Sequence, residues 1–255
     1  MTYIWLLLRP LNIMNMIVEV CANTLESAVN AEKAGADRIE LCSELAVGGI
    51  TPSYGILKAV IDKISIPVRV LVRPRSGNFT YSDYEFQIMK ENIKLCKEFG
   101  YDGVVLGMLD ADFALDEKRL DALSLLCDDL KITFHRAFDW VSNPMQALDW
   151  IDNSIIDTIL TSGQEKKAVD GISLLTKLNK TSNKTMIMPG SGIDFKNAHL
   201  FKEQGFKAIH LSAVQMVQRL NVNPKVGMNS PQMLSDSFLP ISNLEMIQEV
   251  VKSVK

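Results

Sequence analysis

The sequence predicts a single α/β domain, a closed (β/α)8 barrel in which each of eight parallel strands is followed by a helix. Short β-rich runs alternate with helical ones from Ile17 onward. Their starts lie about 20–35 residues apart, the length of one strand plus one helix. Eight such runs point to a barrel before an open sheet. A doubly wound sheet usually has fewer strands, and no GxGxxG follows the first run here. The length, 255 residues, suits a one-domain barrel.

The runs start near Ile17 (IVEVC), Arg38 (RIELC), Val68 (VRVLVR), Gly103 (GVVLG), Lys131 (KITFHR), Asp157 (DTILTS), Lys184 (KTMIMP) and Lys207 (KAIHLS). Asn23 with Glu26, Ser82 with Glu85 and Ser242 with Glu245 have the spacing of a helix N-cap and its partner. Gly35, Gly100 and Gly205 stand where helices should stop. Phe86, Met89, Ile93 and Cys96 make an apolar stripe at helical spacing, so Cys96 is assigned to the core, with Cys127 of LDALSLLC. The last helix, Ser242 to Val254, carries Leu244, Ile247, Val251 and Val254 on one face and closes the barrel. Residues 213–241 are then a long insertion after strand eight, with a short helix expected at Val214–Leu220. Loops of that length are usually lids or mobile segments. Residues 1–15 read as an N-terminal extension outside the fold, with Met16 as an alternative start, which leaves 16–255 for the barrel.

A net charge of -3 and a pI near 5.7, without a basic run, give no reason to expect nucleic acid. No apolar run reaches the roughly 18 residues of a membrane span. Ile4 to Leu8 is too short for the apolar stretch of a secretory signal. Cys21, Cys42, Cys96 and Cys127 lack metal-finger spacing and do not suggest a disulfide framework, so a reduced cytoplasmic protein is expected.

Side chains on a strand alternate between faces, and in this fold the active face is the C-terminal end of the strands. Placing Val18, Val20, Ile39, Leu41, Val68, Val70, Val72, Ile132, Phe134, Ile209 and Leu211 toward the helices turns their neighbours inward. Glu19, Glu40, Arg73, His135 and His210 then converge on one axis. Charged groups are rarely buried without partners, so these residues are either a structural ion network or a ligand site. Their place at strand ends favours the site. His135 with Asp139 nearby suggests a general base and its orienting carboxylate. Arg73 and Arg75 flank a proline, a pattern suited to a carboxylate or phosphate, the alternative being a solvated loop. Gly190-Ser191-Gly192 after strand seven and Ser212 after strand eight fall where these barrels bind phosphate, and Ser162 after strand six adds a donor. These residues together point to an enzyme acting on a small anionic or phosphorylated metabolite. Cys21 and Cys42 sit at matching ends of adjacent strands. Two inward thiols there can bind a soft ion such as Cu(I), linearly or with a third ligand, or they are small core residues.

Nine motifs in order, VEVCAN (Val18–Asn23), GADRIELC (Gly35–Cys42), GGITPSYG (Gly48–Gly55), RPRSGNFTYSDYE (Arg73–Glu85), DGVVLG (Asp102–Gly107), FHRAFD (Phe134–Asp139), ILTSGQ (Ile159–Gln164), IMPGSG (Ile187–Gly192) and IHLSA (Ile209–Ala213), closely resemble the CutC family. The resemblance covers about Met16 to Ala213. It implies a cytoplasmic barrel of this class, usually oligomeric, with a role in copper homeostasis. It also implies that Cys21 and Cys42 correspond to the family's proposed copper ligands. Ser191 departs from the family's pattern, which has glycine in that turn.

Overall fold

A computed structural model describes residues 15–229 and 235–255; the extension expected over 1–15 lies outside that range apart from residue 15. Eight strands follow in chain order: β1 (Ile17–Ala22), β2 (Arg38–Leu41), β3 (Val68–Leu71), β4 (Gly103–Leu106), β5 (Lys131–Phe134), β6 (Thr158–Thr161), β7 (Met186–Pro189) and β8 (Ala208–Leu211). All their pairings are parallel, in the order β7-β6-β5-β4-β3-β2-β1-β8. One parallel bridge, Gly190 to His210, joins the open edges and closes the barrel. Strand starts match the sequence reading through β5. The last three begin one or two residues later than expected, because the lysine and aspartate taken as their first residues lie ahead of the ladder.

Eight helices surround the strands: α1 (Leu25–Lys33), α2 (Tyr54–Ile61), α3 (Asp83–Phe99), α4 (Glu117–Cys127), α5 (Pro144–Asp152), α6 (Ile172–Thr181), α7 (Ala198–Glu203) and α8 (Leu244–Val254). None of them is long and apolar enough to cross a membrane. Ser82 and Glu85 form the expected capping box on α3. The other two caps move by one residue. Thr24 caps α1, since Asn23 is turned away to donate to the Pro240 carbonyl. Asn243 caps α8, because Ser242 is held between the Ser27 hydroxyl and the Cys21 carbonyl. Gly35, Gly100 and Gly205 all take positive φ beyond a helix end, as their positions predict.

The insertion departs from expectation. Val214–Leu220 is not a helix: Val214–Gln218 (β9) pairs antiparallel with Phe238–Ser242 (β10). Two β-branched valines in the five residues VQMVQ suit a pleated ribbon. The ribbon's base is tied to α1 through Asn23, Ser27 and Asn30.

Burial follows the predicted alternation. Val18, Val20, Ile39, Leu41, Val68, Val70, Val72, Ile132, Phe134, Ile209 and Leu211 join one apolar cluster with the helices. The interior is different. Its apolar residues split into two islands, Cys21–Cys42–Leu71–Val105 and Leu160–Met188–Ala208. Charge fills the space between. At the N-terminal end Arg69 bonds to Thr133 at 2.7 Å and Asp157 at 2.8 Å. Gly103 opens β4 where a Cβ would lie 2.3 Å from the Lys131 carbonyl oxygen. We predict that Gly103→Ala costs about 1–3 kcal/mol through this clash, read as a lower urea midpoint at unchanged slope.

Candidate functional site

A cavity of about 820 Å³ opens at the C-terminal ends of the strands. Its two sides differ in chemistry. The β8–β1–β2 side brings together Glu19, Cys21, Glu40, Cys42 and His210, five of the residues read from the sequence. Glu19 is fully buried and pairs with the Arg38 guanidinium below the cavity floor, while its other oxygen lies 2.8 Å from His210 Nδ1. Burial alone would raise the Glu19 carboxyl, but Arg38 and His210 overcome it and hold it at about 2. Burial pulls His210 down, and the Glu40 and Glu19 carboxylates more than offset it, so the imidazole lies above its ordinary value. Glu40 is raised by burial, and its Oε2 has no hydrogen-bond partner.

The two thiols meet here. Cys21 Sγ lies 3.6 Å from Cys42 Sγ and donates to Glu40 Oε1 at 3.6 Å. The bond to Cys42 and burial push the Cys21 thiol well above its usual range. Ligand atoms of Cys21, Glu40 and His210 lie within 4.8 Å of one another, a spacing that can hold one metal ion. Cys42 joins that group through Cys21.

The opposite side is set by His135. Its Nδ1 accepts from the Ala137 backbone N–H at 3.1 Å. An amide can only donate, so the ring proton sits on Nε2, which is buried without a partner among the described residues on a ring that lines the cavity. Burial and the nearby Arg73 guanidinium depress the ring to about 3, so it is neutral. Phe79 stands between the two, its ring 4.8 Å from His135 and 5.2 Å from the Arg73 guanidinium carbon.

Other residues read from the sequence fall elsewhere. Arg73 lines the cavity but gives its Nη atoms to the carbonyls of Val47, Gly49 and Gly77, so it fastens loops and presents no free fork. Arg75 lies off the cavity, folded onto Glu85, Asn78 and Thr80, since that capping carboxylate is its nearest anion. Asp139 does not touch His135; it accepts from Arg136, Thr161 and Ser162 and holds the loops after β5 and β6 together. Ser162 is buried in that network. Ser191, Gly192 and Ser212 line the cavity, while Gly190 supplies the closing bridge. The next helix, α7, begins at Ala198, after a turn in which the Asp194 N–H donates to Asn197 Oδ1. Sequence reasoning missed Phe79, Trp140 and the 45–48 segment, which line the cavity from a loop and two short 3-10 turns that carry no strand periodicity. It also left out Arg38, although its place on the charged face of RIELC was a usable signal.

A parallel (β/α)8 barrel with a thiol, carboxyl and imidazole wall facing a neutral histidine defines the class of this molecule. The sequence model of the CutC family matches residues 16–215. A copper homeostasis protein cutC homolog from Homo sapiens is 44% identical over 199 residues, covering 77% of this chain and 73% of its own. A family protein CutC from Edwardsiella ictaluri is 41% identical over 223 residues, 88% of this chain and 89% of its own. A crystal structure of a CutC from Streptococcus agalactiae superposes with a TM-score of 0.73 at 33% identity, covering 77% of this chain and 98% of that one. The chain belongs to the CutC family.

Two outcomes follow for the site. Glu19→Gln leaves the buried Arg38 without its anion and is predicted to cost about 3–5 kcal/mol, measured by chemical unfolding. His135 generates a pH dependence. Its folded value, about 3, lies below the ordinary 6.5, so below pH 6.5 the unfolded chain binds the extra proton. The wild type's stability relative to His135→Gln is therefore full above pH 6.5 and falls as pH drops toward 3, by up to about 1.4 kcal/mol per unit. A flat difference over that window would mean the ring titrates normally.

Proposed function

We propose that this CutC chain acts in copper homeostasis in the reducing cytoplasm by holding Cu(I) at the cavity floor between Cys21 and Cys42. The 3.6 Å separation of two buried free thiols carries this reading. With metal–sulfur bonds of about 2.3 Å, as in zinc thiolates, that separation subtends roughly 100° at a single ion. An angle well short of linear leaves one side open for a third donor. His210 is suited to it: Glu19 engages Nδ1, which leaves Nε2 for the ion, the carboxylate–histidine arrangement that commonly orients a metal ligand. Thiolate and imidazole donors suit Cu(I).

The volume of the cavity favours a second reading. About 820 Å³ is the size of a small-molecule site and far exceeds one ion. In that reading the chain is an enzyme acting on a small anionic or phosphorylated metabolite at the C-terminal rim, with Glu40 and His135 as its polar groups.

The test of the copper reading is competition for Cu(I) against a chromogenic chelator, on reduced protein. One ion per chain is expected. Cys21→Ser with Cys42→Ser should abolish binding, and His210→Gln should weaken it by about tenfold or more. Unchanged affinity in the double variant would remove these sulfurs from any copper site.

A further inference from the structure

We infer that the β5–β7 wall of the cavity binds a small organic acid, with a carbonyl or carboxylate oxygen on His135 and a phosphate or second carboxylate on the backbone N–H groups of Gly192 and Ile193. This deepens the second reading above and rests on it. His135 is only 5% exposed and its ring lines the cavity, yet its buried Nε2–H has no partner among the described residues. A buried donor left unpaired is costly, so a ligand oxygen placed there recovers an interaction the protein alone does not make. Its proton cannot move to Nδ1, which is fixed by the Ala137 amide. The ring is therefore a donor of constant sense, and the neighbouring Arg73 charge keeps it neutral.

The second contact comes from the loop after β7. Ser191 and Gly192 are both at positive φ, +85° and +68°, a turn of the kind that gathers successive N–H groups into an anion-binding hollow. The loop is pinned by its other atoms: the Ser191 hydroxyl donates to the Lys166 carbonyl at 2.7 Å, and the Ser191 carbonyl accepts from Ala168. Among the described residues, the N–H groups of Gly192 and Ile193 make no hydrogen bond, whereas that of Ser191 is turned toward β8 by the Gly190–His210 bridge. The stem of Lys167 packs where a Gly192 Cβ would sit, which brings a cation to the same loop. Arg136 adds a second, on the cavity wall beside His135. The carboxylate of the cavity, Glu40, belongs to β2, three strands from β5 in the order of the sheet, so an acid ligand is directed away from it. Loops after strands seven and eight are where barrels of this type hold phosphate.

The probe is 2-phosphoglycolate, which carries a phosphate and a carboxylate on a two-carbon frame, with inorganic phosphate as reference. Titration calorimetry on metal-free protein is expected to give affinity for phosphoglycolate at least about tenfold above phosphate, and His135→Ala is expected to remove that margin. Gly192→Ala, which forces a Cβ at positive φ against Lys167, should weaken both probes. In the wild type, ring-selective 15N NMR should show the His135 Nε2 proton shifting on addition of phosphoglycolate, with Nδ1 unprotonated throughout, a readout that needs no variant to fold. Phosphoglycolate bound equally by His135→Ala, with no shift of the ring proton, overturns the assignment of His135 while the cavity remains a site for small acids. Absence of saturable binding by both probes overturns this inference and the second reading together.

Discussion

The pairing of Glu19 with Arg38 is the constraint on which the rest of the interior depends. Closing eight strands encloses a volume that side chains must fill, and in most barrels branched apolar residues fill it. Here two adjacent strands place opposite charges side by side, Glu19 opposite Arg38 in the β1–β2 register. Neither is tolerable alone in that space, and together they fix each other. The consequences reach past the pair. Glu19 uses its second oxygen to orient His210, and Arg38 reaches the Met188 sulfur on β7. One ion pair therefore crosses the barrel, divides its apolar filling into two islands and sets the floor of the cavity.

That floor explains the unequal walls above it. On the β8–β1–β2 side, groups that would ionise separately in water share a small volume: a raised Glu40 carboxyl, a raised Cys21 thiol and a raised His210 imidazole. Their protonation is mutual, which is the condition under which a cation can displace protons from a site. Across the barrel, His135 has no carboxylate partner. The Arg73 guanidinium acts on it with the Phe79 ring packed against both, and its tautomer is dictated by a main-chain amide. One wall is built to exchange protons and the other to donate a single fixed hydrogen bond.

The fold was legible because barrel strands are short and their two faces differ so sharply. Val18, Ile39 and Val70 could be assigned to the helices from alternation alone, and that assignment carried Glu19, Glu40, His135 and His210 inward with it. Alternation fails beyond the ladder, and the misreadings lie there. Arg75 follows Pro74, where the chain has left the strand, and its direction is decided by a capping carboxylate ten residues away. Asp139 sits in a 3-10 turn, whose geometry sends it to β6 instead of back to His135. Val214–Gln218 has the length of one helical turn or one strand, and only its distant partner Phe238–Ser242 decides between them. Phe79 and Trp140 carry no periodic signal at all; their place beside His135 comes from loop paths that sequence spacing does not encode.

The two readings of the cavity share Glu40 and otherwise draw on opposite walls of it. The thiol pair is buried, Cys42 fully and Cys21 with 5% exposed, while Ser191, Phe79 and Trp140 line the cavity. A small acid held by the His135 wall would share one cavity with an ion held at the sulfurs. Acids of that kind offer oxygen donors to metals, while the floor offers sulfur and imidazole, which soft ions prefer. An ion at the sulfurs and an acid at the opposite wall would thus be chosen by different chemistry, softness in one case and a fixed hydrogen bond in the other.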